Sequence, residues 1–364
     1  RPAAIKADQP SNWRSPTNQA DLLLVTRRVF FSFLEPLKAL RQSQGFRVEL
    51  VDVEDLFDEF SYGEKTPQAV KDFFSYAATT WKAKPSFVLL AGDASLDPRN
   101  YLGFGDNDLV PTRLVDTSLM ETACDDWFTD FKNDGQPEIS IGRLPFRSPD
   151  EAQTMVAKII SYEDSKPSAE ALLVSDRNDE FDFETASDQI QELIRPGLKV
   201  NRLNRASVDP SKAKLQLFAA IARGQTIVNY VGHGSSNQWN GGLLTNDDAR
   251  SMTNGDRLPL FVMMTCLNGY FHDAATDGLA EALLKSERGG AVAVWASTGV
   301  TSPNRQAAID REFYRLLFSR ETLTVGEAAT RAKSVVSDPD IKRTWVLLGD
   351  PTMRVKFGLS SHTD

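Results

Sequence analysis

Apolar residues follow two rhythms along this chain. Short, nearly continuous apolar runs bounded by Gly, Pro, Asn or Asp recur as DLLLVT, RVELVDV, SFVLLAGD, ALLVSD, KVNRLN, TIVNYVGHG, PLFVMMTC, GAVAVWAST and WVLLGD. Runs of this kind read as strands buried on both faces, as in parallel sheets. Between them, apolar positions three and four apart predict helices. Phe30, Phe33, Leu34, Leu37 and Leu40 make one such face ahead of Gly45. Others cover residues 67–81, opened by Thr66-Pro67, then 149–164, a segment through Ile194, and residues 210–223, 277–287, 306–318 and 325–336. Strand alternating with helix predicts an α/β fold with right-handed crossovers. From Ala94 to Pro145 the pattern changes to short strands and acidic loops, ending in ISIGRLP, and reads as a small antiparallel excursion able to reach a site. At the far end WVLLGD is expected to pair with MRVKF. The resulting division is an extended arm (1–19), an N-terminal α/β subdomain carrying the excursion (20–167), a second α/β subdomain (168–358) and a tail (359–364).

Composition narrows the function classes. A length of 364 residues suits about two domains, and a net charge of −9 disfavours nucleic acid and anionic membrane as main partners. The longest apolar runs fall short of the roughly 20 residues of a membrane span. Cys124 and Cys266 are the only cysteines, too few for a disulfide framework or a thiol zinc cluster. The chain opens on Arg1 without a signal-like segment, which reads as a portion of a longer precursor.

The chemistry concentrates where two of the apolar runs end, one at Gly232-His233-Gly234 and the other at Cys266. Parallel sheets place ligands beyond the carboxyl ends of their strands, so a thiol and an imidazole are expected at one edge. That pair suggests a cysteine nucleophile with its base, and the N–H groups of Gly234 and Cys266 are candidates for an oxyanion hole. No cofactor is needed for such chemistry. Structural calcium is a separate expectation: Asp106 and Asp108, around Asn107, or Asp93 and Asp97, offer hard oxygen ligands, although Asx turns use the same residues. His272 and His362 read as surface histidines. No phosphate-binding glycine loop and no G-x-S-x-G elbow is present.

The ordered motifs LLAGDASLDP, NDGQPEISIGRLP, IISYE, YVGHGSSNQW, MMTCLNGYF, AVAVWAST and WVLLGDPTMRV resemble the gingipain family of cysteine peptidases. The resemblance implies two caspase-like α/β subdomains with mainly parallel sheets flanked by helices. It also implies hydrolysis of protein or peptide substrates through a thioester, and a secreted or cell-surface location. By position it assigns the base to His233, the nucleophile to Cys266, and the floor of a pocket for Arg or Lys to Asp134. A third acid is expected among Glu121, Asp125 and Asp126. The strand bearing Trp295, Ala296, Ser297 and Thr298 is expected to offer its edge to an extended substrate, with Trp295 either walling the pocket or packing in the core. The segment GVTSPNR lacks the Trp and Met that line the pocket of Arg-specific members. Alternatives are a sortase-like peptidase or transpeptidase acting on secreted cargo, and a non-catalytic caspase-like binding module. Oligomeric state is left open.

Overall fold

The computed structural model describes residues 10–358. The outer part of the arm, the tail and His362 lie outside the described residues. The strands in chain order are β1 (Leu22–Thr26), β2 (Val48–Asp52), β3 (Phe87–Ala91), β4 (Leu114–Asp116), β5 (Glu121–Ala123), β6 (Ser140–Leu144), β7 (Glu170–Ser175) and β8 (Lys199–Asn204). They continue with β9 (Ile227–Val231), β10 (Gly234–Ser235), β11 (Gln238–Trp239), β12 (Leu260–Met264), β13 (Ala293–Ser297) and β14 (Trp345–Leu348). Ten of them form one sheet in the order β2-β1-β3-β6-β14-β13-β12-β9-β7-β8, while β4–β5 and β10–β11 are small hairpins. Helices cover both faces, and for that reason every residue of β1, β3, β9, β12 and β13 is buried.

The sheet is mainly parallel, with one reversal that decides how the site is built. β14 runs parallel to β6, through Leu348 opposite Arg143, and antiparallel to β13. The strands before this seam therefore point one way and those after it the other. The carboxyl ends of β9, β12 and β13 share an edge with the amino end of β6. The excursion leaves β3 at the opposite edge and returns to β6 at this one. Its hairpin is fastened there, with Thr122 Oγ1 donating to Thr298 O and Thr298 Oγ1 donating to Ala123 O, both at 2.8 Å.

Several expectations from the sequence are corrected. ISIGRLP is not part of the excursion; it forms β6, paired in register with β3. A helix, Val53–Ser61, follows β2 directly, capped by Asp52 accepting from Glu54 N, because the strand pattern ends on a residue that also serves as N-cap. MRVKF forms no strand. There Lys356 Nζ donates to the carbonyls of Tyr162, Glu163 and Ser165 at the end of helix Pro149–Asp164. The described part of the arm is docked: Trp13 stacks on Trp81, and Glu59 accepts from the amides of Trp13 and Arg14.

Buried ions join the parts. Arg143 in β6 donates to both oxygens of Asp125 (2.6 and 2.8 Å) and to the carbonyls of Gly92, Val110 and Pro111. Arg41 bonds Asp350 and Glu163, tying helix Phe31–Ser43 to the segment after β14. In β9, Asn229 donates to both oxygens of Asp310, with Tyr314 nearby on the same helix. Burial pushes the Asp310 carboxyl up to about 8, against only the Asn229 hydrogen bond lowering it. The folded chain therefore keeps a proton that the unfolded chain loses near the ordinary carboxyl value of roughly 3.9. Stability from this group is present below that value and is lost as pH rises through about 8. Asp310→Asn should flatten the decline, seen as a urea midpoint that falls less between pH 5 and pH 9 than that of the unaltered chain. Parallel curves would refute it.

Candidate active site

β9 and β12 are neighbours in register, with Val231 opposite Met264, and Gly232 N donates to Met264 O at 3.1 Å. His233 and Cys266 each lie two residues beyond that last pair, so they leave the sheet abreast. The glycines beside His233 serve close packing. A Cβ at Gly232 would stand 2.5 Å from Tyr230 Oη and from Asp176 Cβ, and one at Gly234 would stand 2.6 Å from Thr265 Oγ1, one residue before the thiol. Asp176, just past the end of β7, organises the histidine loop. Its Oδ2 accepts from His233 N (3.2 Å), Asn240 Nδ2 (2.9 Å) and Tyr230 Oη (3.3 Å), and its Oδ1 accepts from Arg205 (2.6 Å). The imidazole itself meets Asp179, with Nε2 2.7 Å from Oδ2, and the edge of Phe183. Both side chains of the His–Asp pair are about half exposed. The backbone N–H of Phe181, and then His233, hold the Asp179 carboxyl below its usual value.

Cys266 begins a sharp turn. Leu267 has φ +63°, a left-handed value costly for a branched side chain, and its N–H donates to Gly299 O. The loop after β13 closes over the sulfur: Thr301 N lies 3.5 Å and Thr301 O 3.6 Å from Sγ. Burial raises the thiol above its ordinary value, opposed by the Thr301 N–H and the Gln306 amide. Asn268 Nδ2 donates to Ser235 O at 2.6 Å, linking the cysteine loop to the histidine loop. Cys124 is of another kind, fully buried, its thiol pushed up to about 12 by desolvation and then by Asp126. Of the two cysteines Cys266 is the partly exposed one and Cys124 is buried.

A family model described as peptidase family C25 matches residues 15–356. The chain belongs to peptidase family C25. Gingipain R2 of Porphyromonas gingivalis is 23% identical over 340 residues, covering 87% of this chain and 43% of that protein. Gingipain R1 of the same organism gives the same identity, with 32% of its length covered. The chain thus spans less than half the length of these curated relatives. Among solved structures, the Arg-specific cysteine proteinase gingipain R superposes with a TM-score of 0.77 at 20% identity, covering 96% of this chain and 80% of that one. A complex of the pro- and mature domains of P. gingivalis RgpB gives 0.76 at 20% identity, covering 92% and 79%. The fold is therefore the gingipain fold.

This C25 chain distributes the other expected residues unevenly. Asp134 sits in a turn between Asn133 and Gly135, both with positive φ, its N–H held by Asp130 Oδ1. It lines a cavity of about 530 Å3 with Arg113, Asp116, Glu121, Trp127 and Lys342. Glu121 is exposed at the start of β5; Asp125 is occupied by Arg143 and Thr112, and Asp126 by Lys333. The carboxylate on the imidazole is Asp179, in a polar loop that offered no periodic signal. β13 has no free edge, since β12 and β14 pair with its two sides and Thr298 N donates to Thr344 O. Trp295, Ala296, Ser297 and Thr298 are all buried, and Trp295 stacks on Phe313 with centroids 4.5 Å apart. Edge pairing of a substrate with this strand is thereby excluded; its contribution is to carry Gly299 to Thr301 over the thiol. His272 is 1% exposed, not a surface residue, and burial pushes its imidazole down to about 4. The reason is that the loop after Cys266 is covered by the other half of the molecule, where Leu96 N donates to His272 O.

The calcium expectation fits poorly. Arg27 spans the Asp106 carboxylate, and Asp108 takes Lys65 and the N–H of Ser95. Asp93 is bound to Arg147, and Asp97 accepts from Tyr101 N and Leu102 N. Among the described residues no group of three or more His, Cys, Asp or Glu side chains is arranged to hold a metal. The midpoint of thermal unfolding should accordingly be the same in chelator and in millimolar calcium; a calcium-dependent rise would restore the metal reading.

Proposed function

We propose that this chain is the catalytic portion of a cysteine endopeptidase, with Cys266 as nucleophile and His233 as its base. The observation that carries the reading is that the two residues leave adjacent parallel strands abreast, one with a thiol and the other with an imidazole. A tautomer that donates Nε2–H to Asp179 leaves Nδ1 as the basic nitrogen. As Sγ attacks the scissile carbonyl carbon, His233 takes the thiol proton, and the oxyanion is met by backbone N–H groups at Cys266 and Gly234. Collapse breaks the C–N bond, His233 returns the proton to the leaving amine, and a thioester remains. Water, losing its proton to the same imidazole, then releases the acid and the thiol.

For the residue before the scissile bond the reading is Arg or Lys, supported by Asp134 in a cavity that also bears Asp116 and Glu121. Arg113, Lys342 and Arg343 line the same cavity, and Lys342 Nζ donates to the Asp134 carbonyl at 3.3 Å. Export or surface display within a larger protein belongs to the same proposal. The test is a panel of peptides varied at that residue, with and without an amine acceptor. Hydrolysis after Arg or Lys that falls by about tenfold or more in Asp134→Asn is the expected result. Cleavage that refuses Arg and Lys removes the role of Asp134. A product joined to the acceptor replaces hydrolysis with acyl transfer. Failure of every thiol-directed peptide probe to label Cys266 defeats the peptidase reading itself.

A further inference from the structure

Behind the nucleophile lies a polar side chain that this mechanism does not use. Gln306 is in the first turn of helix Pro303–Leu317 and is 1% exposed. Its Nε2 donates to Thr301 O at 3.1 Å and to Thr301 Oγ1 at 2.9 Å, while its Oε1 has no hydrogen-bond partner among the described residues. An unpaired buried amide oxygen is costly, and a leucine would fill similar space without that cost. The compensation lies one residue on. Thr301 presents to Sγ both an N–H, which favours a thiolate, and a carbonyl oxygen, which opposes it. The Gln306 amide draws charge from that carbonyl and, by holding both the carbonyl and the hydroxyl of Thr301, fixes the residue so that its N–H, on the preceding peptide unit, stays on the sulfur.

We propose that Gln306 is a positioning residue which holds the Thr301 amide on Cys266 Sγ and thereby stabilises the attacking thiolate. The inference rests on the assignment of Cys266 as nucleophile. In a half-buried site whose imidazole is shared with the exposed Asp179, this N–H is a source of thiolate stabilisation independent of the histidine.

The test follows the rate of Cys266 alkylation by iodoacetamide against pH, read at the peptide level by mass spectrometry with buried Cys124 as the internal control. The pH profile of kcat/KM is measured alongside. Gln306→Leu should raise the alkylation midpoint by about one pH unit, so that labelling at pH 7 slows about tenfold. KM should stay unchanged, and kcat/KM should recover at higher pH. Gln306→Met, which keeps length and flexibility, should shift the midpoint in the same direction and covers the case in which the leucine variant does not fold. A folded variant of either kind with the original midpoint overturns the proposal. If unaltered Cys266 is alkylated no faster than Cys124 while Cys266→Ala stays active, the nucleophile assignment falls and this proposal with it. Normal labelling with an unmoved midpoint in both variants overturns the positioning role alone.

Discussion

Cys266→Ala is expected to lower kcat for peptide hydrolysis by roughly 100,000-fold or more, the scale seen when a covalent nucleophile is removed and binding alone remains. His233→Ala should cost less, about 100- to 10,000-fold, because a thiol ionises without help to a small extent at neutral pH and general base catalysis has that usual magnitude. The two losses should also differ in pH dependence. Activity of the histidine variant should climb with pH as Cys266 ionises by itself, whereas the alanine variant should stay inactive throughout. Since the pair acts as a unit, the double variant should be no worse than Cys266→Ala. Asp179→Asn should cost only about tenfold: its contact with the imidazole is half exposed, and water screens what the carboxylate offers. Full-range kcat/KM profiles decide the matter. A His233→Ala protein with unaltered activity at pH 7 would remove the imidazole from the mechanism.

Arg143→Met is expected to destabilise the fold by about 3–5 kcal/mol, the usual cost of breaking a buried ion pair by removing one partner. Here the loss strands the Asp125 carboxylate, deep in the molecule, and three carbonyls that Arg143 had satisfied. A lower urea midpoint with an unchanged slope would report it. Adding Asp125→Asn should recover part of the stability, because the abandoned charge is then gone. A loss below about 1 kcal/mol in the single variant would show that water reaches Asp125 and that the pair is not the anchor described. Arg143 also bears on the site indirectly, since Asp125 lies two residues past β5, whose Ala123 O and Thr122 Oγ1 hold Thr298.

Periodicity made most of the elements legible, and the ends of two apolar runs disclosed the thiol and the imidazole. That succeeded because both residues sit where a buried strand meets solvent, and parallel neighbours end at one edge. The same signal says nothing about which strand lies beside which. AVWAST reads as a strand whether its edge is open or covered, and its cover, β14, comes from about 50 residues later in the chain. Asp176 and Asp179 were missed for a related reason: in the polar segment SDRNDEFD every acid resembles a turn residue, and only the folded loop selects two of them. His272 misled in the opposite direction. It follows Phe271 in a loop that is otherwise polar, and the other half of the molecule roofs that loop. Gln306, inside a helical repeat, looked like an ordinary helix residue beside the boundary.

The seam at β14 also sets a timetable. This strand follows every other strand of the sheet in sequence, yet it lies between β6 and β13 at the middle. While the chain is being synthesised, β6 and β13 each present an unpaired edge, and Arg41 has no Asp350 to meet. Such edges invite pairing with another nascent chain. Until Thr344 has been made, Thr298 N lacks the carbonyl it donates to, and the base of the loop that reaches the thiol is held from the hairpin side alone. The sheet that carries both loops of the candidate site is therefore complete only once nearly the whole segment has been made.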